Sequence, residues 1–150
     1  MSAESAPPEP EFPLPDTNWE MTREFWAAAA REELVIPRCD GCDRWNWYPS
    51  EQCPGCGETN LPWTAVSGRG TLFSWAVVRR AFVKPFAEKV PYVTGLVALN
   101  EDPAVRLVTG IVDCRPDQLR VDLPLRVVFR PLSFPGVSRE VVAPMFAPAV

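Results

Sequence analysis

A chain of 150 residues, 47% of them hydrophobic, has room for one ordinary domain plus a small stapled module and not for two large domains. Its 15 basic and 19 acidic residues leave a net charge of -4 and an isoelectric point near 4.9, which opposes binding to a phosphate backbone. No run of about 18 apolar residues occurs and the acidic, proline-rich start MSAESAPPEPEF is unlike a signal or transit peptide, so no membrane span and a cytoplasmic location are expected.

Residues 1–18, with Pro7, Pro8, Pro10, Pro13 and Pro15, read as a flexible arm with little to build a core from. A helical segment follows over 19–36. Within it TREFWAAAAREEL, Thr22 to Leu34, is rich in helix formers, Thr22 is placed to cap it, and Pro37 prevents continuation. Phe25, Trp26, Ala29 and Ala30 make its apolar stripe, which packs on the domain or on a partner.

The stretch Cys39 to Cys56, CDGCDRWNWYPSEQCPGC, holds two Cys-x-x-Cys pairs ten residues apart. Each pair suits a tight knuckle, and both knuckles can converge on one ion that prefers four thiolates at about 2.3 Å. Cys39, Cys42, Cys53 and Cys56 are therefore the expected ligands of one structural zinc; rubredoxin-type iron uses the same ligand geometry. The chain has no histidine, so the four cysteines are the full ligand set, with no open position for a catalytic water. Asp43 stands after the first pair where Gly57 stands after the second; if a left-handed backbone is needed there, Asp tolerates it less well than Gly. Cys114 is left over as a free thiol, a pattern suited to a reducing compartment.

The ribbon spans 37–62, and the rest, 63–150, is β-rich. Gly68 and Gly70 suit a bulge or a sharp entry into a strand. Strands are expected at Thr71 to Arg79, Tyr92 to Leu99, Val105 to Asp113, Leu125 to Arg130 and near Val141 to Phe146. Five strands with few intervening helices point to a small barrel, OB-like or SH3-like. Charge divides along the same line: residues 1–68 carry 4 basic and 12 acidic side chains, residues 69–150 carry 11 and 7.

This order of parts resembles a family of small proteins with an N-terminal helix, a rubredoxin-like zinc ribbon and a C-terminal OB-fold, associated with thiolase-fold enzymes of acyl-CoA metabolism. The resemblance covers roughly residues 20–148. It rests on Phe25-Trp26, Leu34, both Cys pairs, Ser67-Gly68-Arg69-Gly70-Thr71 with Trp75, Pro91-Tyr92 and Phe146-Ala147-Pro148; Asp122 departs from it, since such proteins often have glycine in that turn. The resemblance implies a mainly β protein ending in a five-stranded OB-fold barrel with a C-terminal tail. It also implies a non-catalytic subunit in a hetero-oligomer with a thiolase-like enzyme, whether thiolase, steroid side-chain retro-aldolase or acyltransferase. Acyl-CoA is the implied shared ligand, and Phe25 and Trp26 are the expected partner contacts.

Independent catalysis has no support in the residues, because the usual general base is missing and no nucleophile elbow or phosphate loop occurs. Cys114 lacks a histidine to activate it, and Glu101-Asp102 reads as a solvated turn. In the loop RRAFVKPFAEKVP, Arg79, Arg80 and Lys84 alternate with Phe82 and Phe86, a pattern able to grip the phosphates and adenine of CoA; the plainer alternative is a solvated loop whose phenylalanines fold back. The competing class is single-stranded nucleic-acid binding by an OB barrel with a zinc ribbon.

Overall fold

The computed structural model describes residues 11–149. Positions 1–10 of the expected arm lie outside the described residues. The rest of that stretch is not free: Leu14 is 6% exposed and packs with Phe134 and Val141. Burying a leucine contributes about 1.5–3 kcal/mol, enough to hold a short proline-braced segment against the barrel.

Helix α1 (Arg23–Ala30) is shorter than the helix-forming composition implied, and Thr22 sits at its N-cap without making a side-chain capping bond. The stop is set by the turn after Ala30, where Arg31 N donates to Ala28 O and Glu32 takes a left-handed φ of 61°. Pro37 plays no part in it, because Val35–Pro37 are already committed to strand β1. The inward stripe is Phe25, Ala28 and Ala29, with Ala30 exposed. One turn of 3.6 residues selects Ala28 in place of Ala30 once Phe25 is fixed in the core.

Strand β1 pairs antiparallel with β2 (Trp63–Ala65), Val35 opposite Ala65 and Pro37 opposite Trp63. This two-stranded sheet closes the base of the ribbon and was not legible beforehand, since two three-residue strands carry no periodicity. The barrel strands fall close to where expected: β3 (Arg69–Val78), β4 (Tyr92–Leu99), β5 (Arg106–Ile111), β6 (Pro124–Leu132) and β7 (Val141–Pro148). They close in the order β3-β4-β5-β7-β6, with β5–β7 the parallel contact. That is the five-stranded Greek-key arrangement of an OB-fold.

The closure depends on Gly68, whose φ is +77°, and on Gly70, where a Cβ would stand 2.5 Å from the carbonyl oxygen of Ala98 on β4. The bulge lies farther along β3, between Leu72 and Ser74. Asp122 adopts φ 64°, so the turn before β6 keeps a left-handed residue even with a carboxylate in place of glycine. Inside, Leu72, Val97, Leu125 and Phe146 are at most 1% exposed, and Phe25, Leu34 and Ile36 belong to the same buried cluster. Helix, ribbon base and barrel thus share one core, where two separately packed pieces were expected.

Candidate functional site

The four ribbon sulfurs converge. All lie within 4.8 Å of one another, with Cys39 Sγ 3.4 Å from Cys56 Sγ and Cys42 Sγ 3.7 Å from Cys53 Sγ. A tetrahedron of ligands at 2.3 Å has edges of about 3.8 Å, so the cluster fits a zinc ion and is too open for disulfides. Both knuckles use a left-handed turn, Asp43 at φ 62° and Gly57 at φ 78°, so Asp is accommodated where the second knuckle has glycine. Donors already point at the sulfurs: the amides of Gly41 and Cys42 reach Cys39 Sγ at 3.3 and 3.4 Å, and Asn46 Nδ2 reaches Cys53 Sγ at 3.8 Å. Asn46 is 4% exposed and also donates to Arg44 O at 3.0 Å. Sequence reasoning passed over it, although a lone amide between Trp45 and Trp47 was a signal.

The thiols divide electrostatically. Burial raises Cys53, but the amides of Gly55 and Cys56 outweigh it and bring it to about 6. The Glu58 amide lowers Cys56, while the sulfurs of Cys39 and Cys42 push it up to about 12. A cation resolves this repulsion by taking all four as thiolates.

The CoA-type residues do not act as one group. Phe86, in the 3-10 turn Lys84–Phe86, folds back with its ring centroid 5.8 Å from Tyr92 and 5.2 Å from Phe134, and Lys89 Nζ lies 4.8 Å over Phe134. It packs as the fold-back alternative describes. Phe82 is 85% exposed, and Arg79, Arg80 and Lys84 are exposed and outside any ion pair among the described residues. Of the expected partner contacts, Phe25 is 8% exposed and locked among Trp26, Trp47 and Trp63, so only Trp26 offers surface.

Cys114 is half-buried, its thiol pushed up by burial and by the Asp117 charge, which leaves it unactivated. Glu101 accepts bonds from Ser67 Oγ at 2.5 Å and Ser67 N at 3.1 Å, and Asp102 from Ala104 N at 3.0 Å. The two carboxylates brace turns and form no acid/base pair.

One further feature had no sequence signal. A cavity of about 440 Å³ lies between the segment before α1, the ribbon pair Trp47-Tyr48 and the seam of β5 and β7. Its origin is in the seam. β5 and β7 share one bridge, Ile111 with Phe146, and Pro144 has no amide to extend it, so the Thr109 hydroxyl donates to Pro144 O at 3.0 Å instead. Aromatic rings cover the gap, with Trp19 stacked on Tyr48 at 6.4 Å and Tyr48 5.4 Å from Trp47.

Comparison with known proteins agrees with this architecture. A family described as the rubredoxin-like zinc ribbon domain of ChsH2 matches residues 26–62, and one described as the C-terminal OB-fold domain of ChsH2 matches residues 63–130. A "Probable enoyl-CoA hydratase alpha subunit" of Thermomonospora curvata is 33% identical over 127 residues, which is 84% of this chain and 37% of that protein; the chain spans just over a third of that relative. A "DUF35 domain-containing scaffold protein" of Methanocaldococcus jannaschii is 31% identical over 104 residues, covering 69% of this chain and 72% of the relative. Among solved structures, a chain of an "Ltp2-ChsH2(DUF35) aldolase" superposes with a TM-score of 0.74 at 31% identity, covering 91% of this chain and 100% of that one.

Proposed function

Since the chain belongs to the DUF35 family, which joins a ChsH2-type rubredoxin-like zinc ribbon to an OB-fold, we propose that it is a non-catalytic accessory subunit of a thiolase-like enzyme acting on acyl-CoA thioesters. The observation that carries this is the superposition, over the whole length of the matched chain, on a component of a two-protein aldolase. The chain's own chemistry supports it. There is no histidine, the cysteine cluster leaves no ligand position for substrate, and the remaining thiol is unactivated.

In this reading zinc rigidifies the ribbon, Trp26 and its neighbours anchor the partner, and Arg79, Arg80, Lys84 and Phe82 supply a cationic and aromatic edge for the CoA nucleotide. The catalytic groups come from the partner, whether it is a thiolase, a retro-aldolase or an acyltransferase. Nucleic-acid binding has less support: of the barrel's cations, Arg115 and Arg130 are held by Asp117 and Asp113, and Arg106 lies 3.8 Å over the Phe73 ring. No described helix is long and apolar enough to cross a membrane.

The test is reconstitution. The tagged chain is purified from its source cell, the co-purifying enzyme is identified and expressed separately, and each protein and their mixture are assayed with acyl-CoA thioesters. The expected result is no turnover by the chain alone and a stable complex whose activity exceeds that of the enzyme by itself. Turnover by the isolated chain, or retained RNA in place of a thiolase-like protein, overturns the proposal.

A further inference from the structure

Three grooves join into one surface. The cavity of about 440 Å³ at the β5–β7 seam shares Trp26 with a second groove, of about 380 Å³, beside the start of α1, and shares Val108 with a third, of about 260 Å³, on the outer face of β3, β4 and β5. Trp26 and Val108 are therefore ridges within one tract. The alternation of β5 turns Leu107 inward and Val108 outward, so a β-branched apolar side chain stands 77% exposed where a sheet face turned to water ordinarily carries a polar one. Tyr48 is 60% exposed beside it on the ribbon, and Trp75 and Leu96 continue the apolar face across β3 and β4. A run of this extent marks an interaction surface, and aromatic rings with methionine and arginine but no lysine are the composition of an interface core.

Charge gives the tract a direction. The sheet-face groove has no charged lining, the seam has Asp16, and the groove beside α1 holds Arg23, Arg139 and Glu140. Residues 1–68 carry 4 basic against 12 acidic side chains, and of those four Arg31 and Arg38 already lie against Glu33 and Asp43. Arg23 makes no ion pair among the described residues, and neither does Arg139, although Glu140 follows it in the chain. Arg139 Nε is enclosed without an acceptor among the described residues. Enclosure of Nε closes the side-on approach and leaves the two terminal amino groups to pair end-on. A carboxylate arriving from the groove supplies the acceptor that this chain's described residues do not.

We propose that this whole tract is where the partner protein docks: an apolar face of the partner lies across Trp26, Tyr48, Val108 and Leu96, and one partner carboxylate pairs with Arg139 and Arg23. The inference rests on the accessory-subunit reading and adds to it the extent of the contact and the charge the partner brings. A contact confined to Trp26 would leave Val108 and Tyr48 in water in the complex and the guanidinium of Arg139 without an acceptor.

The enzyme that co-purifies with the full-length chain is titrated by calorimetry, at low and high salt, with the zinc-loaded chain and with variants checked for zinc content and melting temperature. Val108→Glu weakens the complex at least tenfold, whereas Val121→Glu, equally a charge at an exposed valine but one that lines none of the three grooves, leaves Kd within twofold. Arg23→Glu/Arg139→Glu weakens it at least tenfold at low salt, and added salt then strengthens the complex instead of weakening it, because attraction has become repulsion. Wild-type affinity in Val108→Glu, or an equal loss in Val121→Glu, overturns the tract while an intact wild-type complex leaves the accessory reading standing. Failure of the wild-type chain to bind any co-purifying enzyme overturns both. Unchanged affinity or unchanged salt dependence in Arg23→Glu/Arg139→Glu overturns the carboxylate contact. A tenfold gain in affinity on removal of residues 1–10 assigns the arginines to the chain's own Glu4 and Glu9 and overturns that contact equally.

Discussion

Gly68→Ala is expected to destabilise the barrel by about 3 kcal/mol. The glycine has a φ of +77°, and an added Cβ would lie 2.3 Å from Val127 Cγ1 and 3.2 Å from Val127 Cβ on β6. A left-handed alanine costs about 1–2 kcal/mol, and forcing a methyl into a packed β-branched neighbour costs about 1–3 more. Val127 cannot retreat cheaply, because its amide donates to Gly68 O at 2.7 Å and its β-branch has one favoured rotamer class. For a chain of this size each kcal/mol lowers Tm by about 2–4 °C, so a drop of about 10 °C is expected by circular dichroism, with a matching shift of the urea midpoint. Gly136→Ala is the control, since its φ is +80° and nothing lies within 4 Å of the added Cβ. It should lose only the backbone share, about 1–2 kcal/mol. Equal losses at the two positions would refute the argument that the β3–β6 closure is sterically set by Gly68.

Cys56→Ser should lose zinc and unfold the ribbon, since structural zinc contributes on the order of 10 kcal/mol to such modules; a folded, chelator-insensitive variant counts against it. At pH 7 the metal-free site keeps Cys53 ionised, at about 6, and Cys56 protonated, at about 12. Zinc binding therefore expels a proton, and affinity should rise about tenfold per pH unit for each proton displaced and fall on acidification, read by competition with a chromophoric chelator. Asp122→Val should cost about 1–2 kcal/mol relative to Asp122→Gly, because φ 64° is costly for a β-branched residue; equal melting curves exclude it. In the reconstituted complex, Arg79→Glu/Arg80→Glu should raise KM for acyl-CoA more than it lowers kcat, an effect that fades with salt. Unchanged KM with failed assembly makes the loop a docking element.

What the sequence determined by itself is what short range decides. Two Cys-x-x-Cys pairs constrain their sulfurs within a few residues, so the four-thiolate cluster was legible before any fold was known. The strands β3 to β7 announced themselves through β-branched and aromatic runs bounded by turns. Side-chain fate at long range was not legible. Phe25 and Trp26 are neighbours of similar character, and only the approach of Trp47 and Trp63 buries the first and leaves the second at the surface. Phe82 and Phe86 look alike in the loop, yet Phe134, some fifty residues on, captures one and leaves the other 85% exposed. The aromatic cavity is the extreme case. It joins residues from Pro15 to Phe146 through the missing amide of one proline, and a gap between strands that meet only after closure has no counterpart in local pattern, because it is made by tertiary contacts whose partners are chosen by packing and not by sequence distance.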